Sequence, residues 1–223
     1  GSALVTVGAL PHPYVVTGGG SYCAGGTGNH IGLSGSASGI NYQLYNMGSP
    51  VGMSLSGTGL TLDFGLQTTG GTYTIIATEA ASGCVNNMMS AASITVNPLP
   101  NVYTVTGGGA YCAGGAGVNV DISGSDIGTN YMLYNGTMPV AGTYMGIGSP
   151  LTFGPQAAAG NYTVVAMIPS TGCTSNMSSS ANVSVNPIVV PSLSIASGST
   201  MTVCADTILY LATTANAGST PHY

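Results

Sequence analysis

Much of this chain is written twice. Tyr14, Gly18-Gly19-Gly20, Tyr22-Cys23-Ala24-Gly25-Gly26, Tyr42, Leu44-Tyr45-Asn46, Phe64-Gly65, Tyr73-Thr74 and Gly83-Cys84 all return further along. They come back as Tyr103, Gly107-Gly108-Gly109, Tyr111-Cys112-Ala113-Gly114-Gly115, Tyr131, Leu133-Tyr134-Asn135, Phe153-Gly154, Tyr162-Thr163 and Gly172-Cys173. The offset is 89 throughout (112 less 23, 173 less 84), so no gap is needed. A period this long, with two cysteines in each copy, describes tandem domains and not a solenoid of short repeats. Residues 11–100 are therefore repeat 1 and residues 101–187 repeat 2, each near the roughly 100 residues of a small β-sandwich. Val5-Thr6-Val7 and Leu10-Pro11 align at the same offset with Ile94-Thr95-Val96 and Leu99-Pro100. Residues 1–10 are thus expected to be the last strand of a preceding repeat. Residues 188–223 are expected to hold the first strands of a third domain. That domain is either truncated, as in a window from a longer chain, or completed by a neighbour's strand such as Leu4–Val7, since two strands do not fold alone.

Within each repeat the apolar residues alternate, with Tyr42 and Leu44 on one face of a segment and Tyr73, Ile75 and Ala77 on one face of another. This pattern predicts strands at 14–17, 30–33, 40–46, 51–55, 60–64, 73–78 and 93–97, with residues 18–28 as a glycine-rich loop. About seven strands, turn signals between them and no window of helical period predict an all-β, antiparallel sandwich with essentially no helix. Asn97-Pro98 and Asn186-Pro187 end the last strand of each repeat, because proline cannot donate to a ladder. Gly71-Thr72-Tyr73-Thr74 and Gly160-Asn161-Tyr162-Thr163 place a tyrosine where an immunoglobulin sandwich has its tyrosine corner. The cysteine that would follow two residues later is replaced by Ile75 and Val164, so aliphatic packing is expected to hold the centre. Tyr42 and Tyr131 stand where the buried tryptophan would be. The expected architecture is a tandem of immunoglobulin-like β-sandwiches.

Cys23 with Cys84, and Cys112 with Cys173, are expected as one disulfide per repeat, each closing about 60 residues; the alternative is free, buried thiols. Such bridges imply an oxidising, extracellular setting. Cys204 is left without a partner inside the chain.

There is no Lys and no Arg, and the acids Asp63, Glu79, Asp121, Asp126 and Asp206 give a formal net charge of −5. Nucleic acid and anionic lipid surfaces are poor partners, since nothing neutralises phosphate, and no nucleic-acid partner is expected. Surface salt bridges are expected to be absent. A nearly uncharged surface resists self-association weakly, which suits packing into a fibre or layer. Gly, Ser and Thr interrupt every apolar run well short of the ~18 residues of a spanning helix, so no membrane insertion is expected.

Reaction chemistry is not legible. Gly18-Gly19-Gly20 opens no helix and is followed by no Lys, so it reads as a turn and not a phosphate loop. His12 and His30 correspond to Asn101 and Asn119 in repeat 2, and His222 stands alone, so no repeated metal site exists. Asp121 and Asp126 are the closest carboxylates. Calcium wants several such ligands, and a solvated loop is the better reading. No Gly-x-Ser-x-Gly joins a strand to a helix. No catalytic, cofactor-binding or metal residue is assigned, and an enzyme is not expected. Asn135, Asn161, Asn176 and Asn182 begin Asn-x-Ser/Thr sequons. Asp206-Thr207-Ile208 is similar to the Asp-Ser/Thr-aliphatic O-glycosylation signal of Bacteroidetes, which makes Thr207 a candidate.

The run Tyr103 to Gly115, Tyr162 to Ala166, Gly172-Cys173-Thr174 and the Asn-Pro hinge resemble the tandem Ig-like (PKD-like) repeats of very large secreted and surface proteins of Bacteroidetes. The resemblance covers residues 11–187 well; residues 188–223 look like a second Ig-like type from the same proteins. It implies extracellular spacer or adhesive arrays. The function expected is that of a surface fibre, stalk or filament built by copies of the chain or by neighbouring repeats. The alternative is an adhesin module that binds glycan, for which Tyr45, Tyr134 and Tyr144 are the candidate aromatics.

Overall fold

The computed structural model describes residues 1, 7–140 and 142–189, with two further segments, 192–195 and 212–215. Repeat 1 contains β1 (Val16–Gly18), β2 (Gly20–Cys23), β3 (Asn29–Leu33), β4 (Ile40–Asn46), β5 (Ser49–Ser56), β6 (Leu62–Gln67), β7 (Gly71–Glu79), β8 (Val85–Asn87) and β9 (Ala92–Asn97). One sheet has the order β1-β3-β6 and the other β2-β9-β7-β4-β5, with β8 also on β7. A three-stranded sheet facing a six-stranded one built around β7 is the immunoglobulin-like arrangement. There is no helix among the described residues.

Repeat 2 has the same plan in β10 (Val105–Gly107), β11 (Gly109–Cys112), β12 (Val118–Ile122), β13 (Asn130–Asn135), β16 (Leu151–Gln156), β17 (Gly160–Met167), β18 (Thr174–Asn176) and β19 (Ala181–Asn186). The counterpart of β5 is split into β14 (Met138–Pro139) and β15 (Tyr144–Met145). Beyond them, β20 (Ser192–Ile195) pairs antiparallel with β21 (Ala212–Ala215). Val5, Thr6, Cys204, Thr207 and His222 lie outside the described residues, and with them most of the expected preceding strand and third domain.

Each repeat has its own core, and neither core draws a side chain from the other repeat. Ile31, Leu33, Tyr42, Leu44, Tyr73, Ile75 and Ala77 are fully buried in repeat 1, and Val120, Ile122, Tyr131, Leu133, Tyr162, Val164 and Ala166 in repeat 2. Ile75 and Val164 do occupy the centre, where aliphatic packing was expected. Four tyrosines this deep must satisfy their hydroxyls. Tyr73 donates to Thr69 O at 2.7 Å and Tyr162 to Ala158 O at 2.8 Å, both four residues upstream, as a tyrosine corner requires. Tyr42 and Tyr131 accept instead, from the N–H groups of Ala37 at 3.0 Å and Asp126 at 2.9 Å.

One expected loop is a strand. Residues 18–28 contain β2, which leaves the first sheet and joins the second, parallel to β9 with Cys23 level with Asn97. The glycine triplet makes that switch. Gly18, Gly19 and Gly20 all have positive φ, and a Cβ on Gly19 would lie 2.5 Å from Ser93 O. Gly107-Gly108-Gly109 repeats the conformation, with Gly108 at 2.5 Å from Asn182 O. The pairing is therefore not purely antiparallel: β2/β9 and β11/β19 are parallel.

Candidate functional site at the junction between repeats

A disulfide joins Cys23 to Cys173, across 150 positions and with the Cα atoms 5.6 Å apart. The expected pairing within each repeat is thus corrected: Cys84 and Cys112 are unbridged. The topology explains why. Cys23 ends β2 at the level of Asn97, beyond the start of β7, where Gly71 pairs with Ile94. Cys84 lies past the far end of β7, where its carbonyl accepts from Glu79 N–H. The two thiols are separated by the whole nine-residue strand, roughly 30 Å. A bridge spans Cα separations of only about 4.4–6.8 Å. Cysteines at opposite ends of a sandwich cannot staple that sandwich, but they can staple it to the next one.

Each end is a built turn. Cys23 opens a turn in which Gly26 N–H donates to its carbonyl at 3.0 Å, and Ala24 N–H donates to Asn97 O at 2.8 Å. The hydroxyl of Tyr22 donates to Thr68 O and pins β2 to the adjacent loop. On the other side, the carbonyl of Cys173 accepts from Ile168 N–H at 2.9 Å, and Gly172, with φ +72°, bonds back to Ile168 O at 2.8 Å. Cys173 is fully buried at the junction. The connection between β9 and β10 runs through Asn97-Pro98-Leu99-Pro100, with Pro100 buried. The repeats therefore meet head to tail: the end of β2 and β9 in repeat 1 faces the β17–β18 loop of repeat 2.

The remaining candidates fall elsewhere. His30 on β3 and Asp63 on β6 are hydrogen-bonded, Nδ1 to Oδ2 2.8 Å, with both side chains more than half exposed. Among the described residues this is the contact nearest to a salt bridge, and it becomes one only when the imidazole is protonated. The hydrogen bond from His30, reinforced by Gly65 N–H, lowers the Asp63 carboxyl below its ordinary value. Asp126 accepts from Tyr103 Oη at 2.7 Å and from Asn101 Nδ2 at 3.2 Å, while Asp121 lies on β12 opposite Thr152. Asp126 thus has a structural duty at the edge of repeat 2. Tyr45 and Tyr134 sit at equivalent places on β4 and β13. Tyr144 packs edge-on against Phe153, with ring centroids 4.8 Å apart, and its hydroxyl bonds Phe153 O at 3.2 Å. It fills the place that in repeat 1 is an apolar cleft of about 310 Å³ lined by Leu44, Val51, Met53, Leu55 and Phe64. The three candidate tyrosines do not form one exposed platform.

The signal for the junction was present in the sequence: two cysteines per period and a glycine triplet before the first of them. What the sequence did not reveal was that the triplet changes sheets, and so which end of the sandwich Cys23 occupies.

No family model matches the sequence, and no curated protein matches it. Among solved structures it is similar to the human OSCAR ligand-binding domain, at 12% identity over 79% of this chain and 97% of that one, with a TM-score of 0.33. It is similar to murine CEACAM1b at 14% identity, covering 74% and 96%, with a TM-score of 0.36. It is also similar to the fibronectin(III)-like modules of Clostridium thermocellum CbhA at 14% identity, covering 77% and 95%, with a TM-score of 0.32. The chain is an all-β protein of the immunoglobulin-like fold.

Proposed function

We propose that this protein is a non-enzymatic, extracellular structural repeat protein whose like units build a surface fibre, stalk or filament. One observation carries the reading: two near-copies of one sandwich are joined end to end by a short linker containing Pro98 and Pro100 and by a covalent bridge. An immunoglobulin-like fold with a disulfide suits an extracellular or surface module of binding or structural type. The choice of structure over ligand binding rests on where the repetition lies. The pattern shared by the two repeats lies mainly in cores, glycine switches and junction cysteines; Tyr45 and Tyr134 recur, but Tyr144 replaces Leu55 and the cleft differs from one unit to the next. The low charge removes the repulsion that keeps ordinary surfaces apart. Electron microscopy of native material, with intact mass in denaturant before and after reduction, tests this. Filaments or stalks with an axial repeat of one sandwich length are expected; isolated particles that bind an immobilised glycan would replace the reading with the adhesin alternative.

A further inference from the structure

The Cys23–Cys173 bridge uses one cysteine from each repeat and leaves one on each. The two left over are not equivalent to each other: Cys84 is the repeat-1 counterpart of Cys173, and Cys112 is the repeat-2 counterpart of Cys23. They are thus the two complementary halves of the staple already made once. Both halves are preformed. At Cys112, Gly115 N–H donates to the cysteine carbonyl at 3.0 Å and Ala113 N–H to Asn186 O at 2.8 Å, reproducing the turn around Cys23. At Cys84, Gly83 has φ +70° and bonds Glu79 O at 2.9 Å, reproducing the loop around Cys173.

A second observation says what belongs opposite Cys84. Gly8 is the residue 89 positions before Asn97, and Asn97 is the strand neighbour of Cys23. A Cβ built on Gly8 would lie 2.9 Å from the Cys84 sulfur. The Cys84 loop therefore already rests against the segment beside which, in a like unit, the Cys23-type cysteine stands. Cys112 is exposed at the opposite end of the pair, as the donor half awaiting a Cys173-type loop.

We propose that Cys84 and Cys112 are inter-unit staples: each bridges to the complementary cysteine of an adjoining unit of this repeat, continuing the Cys23–Cys173 pattern in both directions. The inference rests on the reading of the chain as an array of like units. Each new bridge removes two thiol protons and two electrons. A small-molecule disulfide such as oxidised glutathione supplies the oxidising equivalents through thiol–disulfide exchange and leaves as two thiols.

The test uses the full chain carrying Cys204→Ser, with ¹⁴N- and ¹⁵N-labelled copies mixed in a glutathione redox buffer. Peptides are mapped without reduction after pepsin digestion, because trypsin has no site in this chain. The expected result is a Cys23–Cys173 peptide of uniform label and a Cys84–Cys112 peptide carrying one light and one heavy half. A ladder of chain multiples on a non-reducing gel accompanies it. Cys84→Ser alone and Cys112→Ser alone each abolish the ladder, and mixing those two variants restores the dimer and nothing longer. Cys23–Cys84 or Cys112–Cys173 peptides, a ladder indifferent to both substitutions, or thiols at 84 and 112 that stay alkylatable throughout would each overturn the proposal. Microscopy of the same samples separates the two readings. Filaments without the Cys84–Cys112 peptide defeat the staple alone; the peptide without filaments defeats the fibre.

Discussion

At the scale of single residues, the four core tyrosines carry most of what is testable by pH. Burial, before any other cause, raises the phenols of Tyr42, Tyr73, Tyr131 and Tyr162 above the ordinary 10.0. The unfolded chain therefore loses these protons first as pH climbs. Their contribution to stability is complete below about pH 10 and is lost as pH rises through the higher, folded-state values. A spectrophotometric titration should show these four of the thirteen tyrosines ionising only together with cooperative unfolding. Smooth ionisation of all of them in a folded protein would mean that the hydroxyls are not held as described. Their burial was legible from alternation alone, since Tyr42 shares a face with Leu44 and Tyr73 with Ile75. The upstream carbonyl partners of Tyr73 and Tyr162 were implied by the tyrosine-corner motif, but those of Tyr42 and Tyr131 were not: Ala37 and Asp126 are loop residues whose N–H groups reach the phenols only after the chain has turned.

At the scale of elements, β2 and β11 mark the limit of pattern reading. β3, β4, β7 and β9 followed from alternation because one of their faces is buried. β2 has no fully buried residue, so it leaves no periodic trace and its sequence reads as part of a loop. Its existence depends on backbone conformation, which a glycine run permits but does not specify. Gly19→Ala is expected to destabilise repeat 1 by about 2 kcal/mol or more, because the added Cβ meets both an unfavourable φ and the Ser93 carbonyl. Gly25→Ala has a similar φ of +83° but open space around it, and should cost only about 1 kcal/mol. Denaturant midpoints of the two variants check this ordering, and equal costs would remove the close approach as the reason for glycine at 19. The split of the β5 counterpart into β14 and β15 belongs to the same scale. It brings Tyr144 onto Phe153, and no feature of the 89-residue repeat announced it, because it is a departure from the repeat.

At the scale of the whole molecule, the disulfide alters the route that tension takes along the chain. Pull on the two ends, and force enters through the first strands of repeat 1, reaches Cys23, crosses the sulfur bridge to Cys173 and leaves along β18 and β19. The polypeptide between the two cysteines, strands β3 to β17, lies off that path. It represents 150 positions, or roughly 500 Å of extended chain, that cannot be paid out while the bridge is intact. Single-molecule extension should therefore show no release of that length under oxidising conditions. Two separate unfolding events should appear once a reductant is added or Cys173 is replaced by Ser. Release of the full length from the oxidised protein would mean that the bridge does not form. Two sandwiches stapled to each other behave under load as one link of fixed length between the two sulfurs: either can lose its fold without lengthening that span.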